Sequence, residues 1–323
     1  MILHLINNSQ ENAGGAQKIL WAIYRHMPAQ SSIFSFTQYI SFAKNTEHKK
    51  IFYILKLFGI VIKSRPRLVV IHHRRFLLFQ PLFKVLGIRS VFLCHNVFPD
   101  HHLAERIFKA NKAIAISTPT KVYLEYIGYS DIVLIENFID FPAHPKLPRP
   151  LAKKIVDIAY VGRLEHQKGV DLLLDSFLTL PREKLNLHII GAGRLEESLK
   201  SKAKHNPRVR FYGSQSDPFK LVAEFDMLIV PSRWEGFGLV FYEAIANKHF
   251  VIASDIDAFK LINTVASQVV YVDIGKGSGA LRKAMLEALD NNKYLSYAPV
   301  DVSEFERFSK ITQLKKYEKL LCS

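Results

Sequence analysis

Four loops in this sequence hold residue types suited to an anionic, hydroxyl-rich ligand. In YVGRLEHQKGVDLLL, Arg163 and Lys168 stand between an apolar run and a segment of helical spacing. Two fixed cations at the carboxyl end of a strand suit a diphosphate. The plainer alternative is a solvated loop with two surface charges. In PSRWEGFGLVFYEAIAN, Glu235 lies in the loop and Glu243 on the helix that follows. A carboxylate accepts hydrogen bonds from sugar hydroxyls. Gly236 and Gly238, either side of Phe237, free the backbone there, so the amides of Leu239 and Val240 can cap a diphosphate at the helix start. Glu243 could instead be an exposed helix charge, although its neighbours are apolar.

Two glycine turns complete the set. Gly14 and Gly15 follow the opening apolar run and precede a helix starting near Ala16, and Gly191 and Gly193 sit in HIIGAGRLEESL. Glycine lets a backbone approach a ligand, and a helix N-terminus attracts anions. A flexible turn explains the first pair equally well. The second falls short of the dinucleotide fingerprint, so a nicotinamide enzyme is poorly supported.

The elements that must position these loops alternate in period. Strand-like runs are MILHLI, RLVVIH (67–72), SVFLC (90–94), AIAI (113–116) and DIVLI (131–135), and the rhythm resumes with IVDIAYVG (155–162), LNLHIIG (185–191), VRFYG (209–213), FDMLIV (225–230), FVIAS (250–254) and VVYV (269–272). Between them, VDLLLDSFLTL and GLVFYEAIAN have helical spacing. The alternation predicts an α/β protein with parallel sheets covered on both faces and ligands at the carboxyl ends of the strands. FPAHPKLPRP, residues 141–150, is too rich in proline for helix or sheet and reads as a linker. The expected division is a first domain over 1–141, a linker over 142–150 and a second domain over 151–323. SEFERFSKITQLKKYEKLL reads as one long amphipathic terminal helix.

A chain of 323 residues, 49% hydrophobic, can fill two cores. Its net charge of +15 is uneven: residues 1–150 hold 19 Lys+Arg against 8 Asp+Glu, a net of +11. Such a half implies a polyanionic partner, whether nucleic acid, anionic lipid or a phosphorylated substrate. HHRRF (72–76) is the best case for nucleic acid, yet no nucleic-acid motif accompanies it. The two cysteines, Cys94 and Cys322, make no disulfide framework, which suits a reducing compartment. Cys94 precedes His95, but strand neighbours face opposite ways, so Cys94 reads as a buried small residue. Met1–Ile6 is too short for a signal peptide, and Ile51–Ile62, interrupted by Lys56, is too short to span a bilayer. A cytoplasmic protein is expected, peripheral at most to the membrane's inner face.

GGAQ, GRLEHQKGVDLLL, IIGAGRLEESL, VRFYG, PSRWEGFGLVFYEA and VIAS, from residue 14 to about 254, together resemble the large retaining glycosyltransferase family four, the glycosyl transferases group 1. The resemblance implies a GT-B fold, two Rossmann-like domains facing each other across a cleft, with the C-terminal helix packing back toward the first. It also implies roles. Gly15 would contact the donor phosphate through its backbone. Arg163 and Lys168 would hold the diphosphate, Glu235 the transferred sugar and Glu243 the ribose hydroxyls. The backbone after Gly213, near Gln215, would lie by the base. Gly191 and the run Gly236, Phe237, Gly238, Leu239 and Val240 complete the donor site. His95, in FLCHNVF, matches a cleft histidine near the transferred sugar, although a lone histidine is more often structural. His95, Glu235, Arg163 and Lys168 form the expected catalytic group. The chain departs from the family at Lys248, Phe250, Asp257, Leu261 and Asn137-Phe138, which touches loop geometry and donor choice.

The implied reaction moves a hexose from a nucleoside-diphosphate sugar to a saccharide acceptor, lipid-linked, in surface polysaccharide or lipopolysaccharide biosynthesis, with retention. A nucleotide-sugar epimerase or a catalytically silent sugar-nucleotide binder of the same fold is the alternative. Fixed cations can replace a metal at the leaving diphosphate, so no metal cofactor is expected. Asp255-Ile256-Asp257 matches the aspartate pair of metal-dependent glycosyltransferases, but follows VIAS, outside that pair's context. In resembling enzymes the first half binds acceptor. Its charge and the run HKKIFYILKLFGIVIKSRPR (48–67) suit an anionic membrane surface, and that run reads equally well as a buried helix.

Overall fold

The computed structural model describes residues 1–11, 14–35, 46–98, 103–139, 155–181, 184–262 and 267–323, without the side chains of 46–53 and 302. The proline-rich segment read as a linker, 142–150, lies outside the described residues. The chain divides into two compact units, Met1–Phe138 with Lys310–Ser323, and Ile139–Ser309.

Unit 1 runs β1 (Ile2–Ile6), α1 (Gly15–His26), β2 (Ser31–Ser35), α2 (Thr46–Ser64), β3 (Leu68–Ile71), α3 (Gln80–Val85), β4 (Arg89–Cys94), α4 (Leu103–Ile107), β5 (Lys112–Ala115), α5 (Thr118–Tyr126) and β6 (Ile132–Leu134). The strands form one parallel sheet, ordered β2-β1-β3-β4-β5-β6. A parallel sheet is covered on both faces, which is why its central strands are nearly continuous apolar runs. Leu3, Leu5, Val69, Ile71, Phe92 and Cys94 share one core with Leu57, Val61 and Phe83. The alternate residues, His4 and Val70 among them, face the other way. Strand β2, SSIFS, escapes the sequence reading. It pairs only with β1 at the sheet edge and needs little apolar surface, and only Phe34 and Ser35 in it are buried.

Unit 2 runs β7 (Val156–Val161), α6 (Val170–Leu178), β8 (Leu185–Ile190), α7 (Glu196–Ala203), β9 (Val209–Phe211), α8 (Pro218–Val222), β10 (Met227–Val230), α9 (Leu239–Ala246), β11 (Phe250–Ser254), β12 (Val269–Val272) and α10 (Ser278–Asp290). Its parallel sheet is ordered β12-β11-β10-β7-β8-β9. Numbered from β7, that is the 3-2-1-4-5-6 order of dinucleotide-binding folds, with the strand order reversing between β7 and β10. Helix α6 buries Val170, Leu173, Leu174 and Phe177, a stripe at i, i+3, i+4 and i+7. Each such side chain contributes roughly 2 kcal/mol of burial.

The terminal segment is not one helix. Val302–Phe308 is a 3₁₀ turn, Ser309 is extended (φ −58°, ψ 127°), and only Lys310–Cys322 forms α11. Two anchors explain the break. Phe305 and Phe308 are fully buried in unit 2, whereas Tyr317 and Leu321 are buried in unit 1. Helix α11, counted on sequence as the tail of the second domain, belongs to unit 1, the side toward which it was expected to pack. Its last carbonyls, of Leu321 and Cys322, accept hydrogen bonds from Arg67 at 2.9 and 3.0 Å.

Among the described residues no helix is long and apolar enough to cross a membrane. Helix α2 buries Leu57 and Val61 but exposes Ile54, Leu55, Phe58 and Ile62.

Candidate functional site

In an open α/β sheet the ligand crevice lies outside the carboxyl ends of the strands, where the strand order reverses. In unit 2 that places it over the loops after β7 and β10, which carry Arg163, Lys168 and Glu235. The two loops are in direct contact. Gly169 has φ +66°, and a Cβ there would run into the carbonyl oxygen of Pro231, so only glycine lets the loops close up. The Gln167 carbonyl accepts from the Arg233 amide at 2.8 Å. The Gln167 side chain donates to the Trp234 carbonyl at 2.9 Å and accepts from Arg163 Nη2 at 3.2 Å. Arg233 forms a two-pronged pair with Asp171, both bonds 2.8 Å, and donates to the His166 carbonyl. Burial pushes the Asp171 carboxyl up, but the hydrogen bonds and charge of Arg233 outweigh it, leaving its pKa below the ordinary value.

This scaffold brings Lys168 Nζ to 2.5 Å from Glu235 Oε1, the oxygen that also accepts from Ser232 Oγ at 2.8 Å. Glu235 is 8% exposed. Arg163 is exposed and joins the pair through Gln167 rather than directly. Gln167, Asp171, Ser232 and Arg233 were not singled out on sequence. Their roles are relations between two loops distant in the chain, and the only local hint is that Asp171 opens a helix.

Helix α9 begins at Gly238, whose φ is +88° and whose added Cβ would strike the Phe259 ring. Its first intrahelical bonds come from Phe241 and Tyr242, so Leu239 and Val240, both half-buried, supply amides at the helix start. Gly236 is buried, and Glu243 is buried on α9 itself. Phe237 lies between Gly236 and Gly238. Its ring packs in the core at 4.9 Å from Tyr242 and 5.2 Å from Phe308, leaving only its backbone for a ligand. Gly191 donates its amide to the Gly213 carbonyl at 2.8 Å, which stitches the loop after β8 to the loop after β9. Gln215 is exposed, with its side chain folded back onto the Tyr212 carbonyl at 2.8 Å.

In unit 1, Gly15 is the first residue of α1. The preceding loop is held by Trp21 Nε1 on the Ser9 carbonyl at 2.6 Å and by Gln17 on the Asn8 carbonyl at 3.1 Å. His95 follows β4 and is not a lone histidine. Its Nε2 lies 3.0 Å from His72 Nδ1, and His72 Nε2 lies 3.0 Å from His4 Nδ1. Burial lowers the His95 pKa to about 3 and that of His4 to about 4, and it holds His72 well below its ordinary value with help from both neighbouring rings. In the basic run HHRRF, His72 is therefore internal, and Arg74 bonds Glu105 at 3.5 Å and covers the Phe98 ring at 4.1 Å. Cys94 is fully buried, and desolvation pushes its thiol up to about 12, so it is an unreactive core residue.

No cluster of three or more His, Cys, Asp or Glu among the described residues is arranged to hold a metal ion. Asp255 is instead paired with Lys260 at 2.5 Å.

The two doubly wound sheets are those of the GT-B class, and the comparisons agree. Residues 144–298, a little under half of the chain, match the family model of the glycosyl transferases group 1. The lipopolysaccharide core biosynthesis mannosyltransferase LpsB of Rhizobium meliloti (strain 1021) is 30% identical over 179 residues, half of each chain. The chain thus spans half the length, or less, of the curated relatives it matches. Among solved structures, Anabaena HepE in complex with UDP and glucose aligns with TM-score 0.78 and 17% identity, covering 100% of this chain and 99% of its own. The lipopolysaccharide outer core galactosyltransferase WaaB, in its apo form, aligns with TM-score 0.68 and 20% identity over 99% of each.

Proposed function

We propose that this chain is a glycosyltransferase that moves a hexose from a nucleoside-diphosphate sugar to a saccharide acceptor with retention. The observation that carries this reading is the Lys168–Glu235 pair, tied to Arg163 by Gln167 where the strand order of unit 2 reverses, beside the start of α9. A cation already neutralised by a carboxylate is poised for exchange. An arriving diphosphate takes Lys168, and Glu235 becomes an acceptor for the hydroxyls of the sugar. As the diphosphate departs it gains negative charge, which Arg163, Lys168 and the α9 amides of Leu239 and Val240 are arranged to meet. The same reading gives Glu243 the ribose hydroxyls, places Gly191, Gln215 and the backbone of Gly236, Phe237 and Gly238 along the donor, and keeps for Gly15 and His95 the roles that the resemblance implies. It routes no step through a metal.

Supporting a lipid-linked acceptor in lipopolysaccharide assembly are the names of LpsB and WaaB, the +11 charge of residues 1–150, and the exposed apolar face of α2. The chain would then work at the inner face of the cytoplasmic membrane. The test is transfer from a panel of nucleoside-diphosphate hexoses to truncated lipopolysaccharide cores, with and without EDTA, and with the anomeric configuration of the product read by NMR. Retained-configuration product in both conditions is expected. A donor isomerised without acceptor, or bound and never turned over, would overturn the reading.

A further inference from the structure

His4 lies on β1, His72 and His95 directly follow the neighbouring strands β3 and β4, and the three step diagonally across the sheet of unit 1. Strand register sets His4 level with Val70 and Ile71 level with Phe92. Each step along the trio therefore moves one strand over and two residues nearer the carboxyl ends, keeping all three on one face. That face is opposite the one holding Leu5, Ile71 and Cys94.

The bonds constrain the protons. A neutral imidazole has one donor nitrogen and one acceptor nitrogen. His72 spends both nitrogens inside the trio, so its tautomer fixes both neighbours. Three neutral rings carry three protons, and two of these occupy the internal hydrogen bonds. The third must sit at one end, on His4 Nε2 or on His95 Nδ1, and both atoms are buried without a partner among the described residues. The ends are not equivalent. His4 is fully buried in the middle of β1, where no described residue meets an N–H at Nε2. His95 is half-buried just past the end of β4, where a ligand oxygen can. A charged trio is disfavoured first by burial of all three rings, then at His72 by its two neighbours and at His95 by His73, and Glu105 is committed to Arg74.

We propose that His4 and His72 are positioning residues that hold His95 neutral with its proton on Nδ1, making His95 a hydrogen-bond donor to an acceptor oxygen of the sugar ligand and not a base. The donor sense of His95 follows from the trio alone; the identity of its ligand rests on the glycosyltransferase reading above. In this arrangement His4 Nδ1–H donates to His72 Nε2, His72 Nδ1–H donates to His95 Nε2, and His95 Nδ1–H is left for the ligand. No proton crosses the trio, because the His4 end has no outlet.

The test is long-range proton–nitrogen NMR on intact protein labelled with ¹⁵N-histidine, at pH 7 and without ligand. The resonances of the three rings are picked out of the 13 histidines by single His4→Gln, His72→Gln and His95→Gln variants. All three rings are expected neutral and protonated at Nδ1. Protonation of His72 at Nε2, or two ring protons on any of the three, would overturn the proposal. In a His72→Phe variant, His95 is expected to lose its fixed tautomer and show a share of Nε2–H. An unchanged His95 in that variant would equally overturn it. If the variant does not fold, the wild-type spectrum decides. If no donor in the panel is turned over, the glycosyltransferase reading fails while these spectra still judge the trio.

Discussion

The Lys168 ammonium and the Glu235 carboxylate meet at 2.5 Å although 67 residues separate them in the chain. The contact ties the loop after β7 to the loop after β10, and it makes the two residues partners in stability as well as in ligand binding. Arg163 is exposed, and among the described residues its guanidinium bonds Gln167 alone, so it carries less of this second duty.

Arg163→Ala and Lys168→Ala should therefore separate. Each removes a charge contact to the leaving diphosphate and should lower turnover by about a hundredfold or more. Arg163→Ala should leave stability within about 0.5 kcal/mol of wild type, as surface substitutions usually do. Lys168→Ala strands a carboxylate that is 8% exposed, held then among the described residues by Ser232 alone, and should cost on the order of 2 kcal/mol. Donor turnover and chemical denaturation, measured on both variants, check this. Near-normal turnover in both would remove the diphosphate assignment.

The Arg233–Asp171 pair makes a different prediction. It touches no proposed ligand, yet it holds the segment that carries Glu235 against the start of α6. Arg233→Ala should lower stability by about 1 kcal/mol, the pair being partly solvated, and should raise the KM for donor more than it lowers kcat. Arg233→Lys should rescue little, because an ammonium cannot make the two-pronged bond. Full rescue by lysine would show that charge alone, not the geometry of the pair, places the loop.

The buried histidines make stability depend on pH. His4 has a pKa of about 4 in the fold against an ordinary value of 6.5, so the unfolded chain takes up this proton first. Stability is then full above about pH 6.5 and is lost as pH falls toward 4, by about 3 kcal/mol from His4 alone. His72 and His95 shift in the same direction. Denaturation curves at pH 7.5, 6 and 5 should show falling stability, and His4→Phe should flatten the slope. Equal stability at pH 7.5 and 5 would contradict a buried, neutral trio.

Much of this was legible locally. Among the described residues eleven of the twelve strands announce themselves as apolar runs, the inner ones because parallel strands are buried on both faces; edge strand β2 does not, having Ser31, Ser32 and Ser35 among its five residues. The loops with Arg163, Lys168, Glu235 and Gly238 stood out by residue type. What sequence could not show was partnership. That Lys168 is paired with Glu235, that Phe237 turns into the core, and that His95 heads a trio are facts of register and of the strand-order reversal, which bring distant segments together. The terminal segment misled because Phe305 and Phe308 match helical spacing while serving a different core from Tyr317.

Helix α2 carries the last prediction. A surface helix ordinarily turns its apolar stripe inward. This one buries Leu57 and Val61 yet leaves Ile54 52%, Leu55 63%, Phe58 44% and Ile62 42% exposed. A contiguous apolar strip on the outside marks an interaction surface, and Lys63 and Arg65 at its end are exposed cations. Apolar residues with basic flanks suit the headgroup boundary of an anionic bilayer, where each nearby cation contributes about 1 kcal/mol. Burial as a core helix would explain Leu57 and Val61 but not the outer strip. The protein should float with vesicles containing anionic lipid at low salt and much less with neutral vesicles or at high salt. Ile54→Asp with Leu55→Asp should abolish flotation with little change in Tm, since both side chains are more than half exposed. Binding indifferent to lipid charge and salt, or none at all, would make a soluble saccharide the better acceptor and leave the strip to a protein partner.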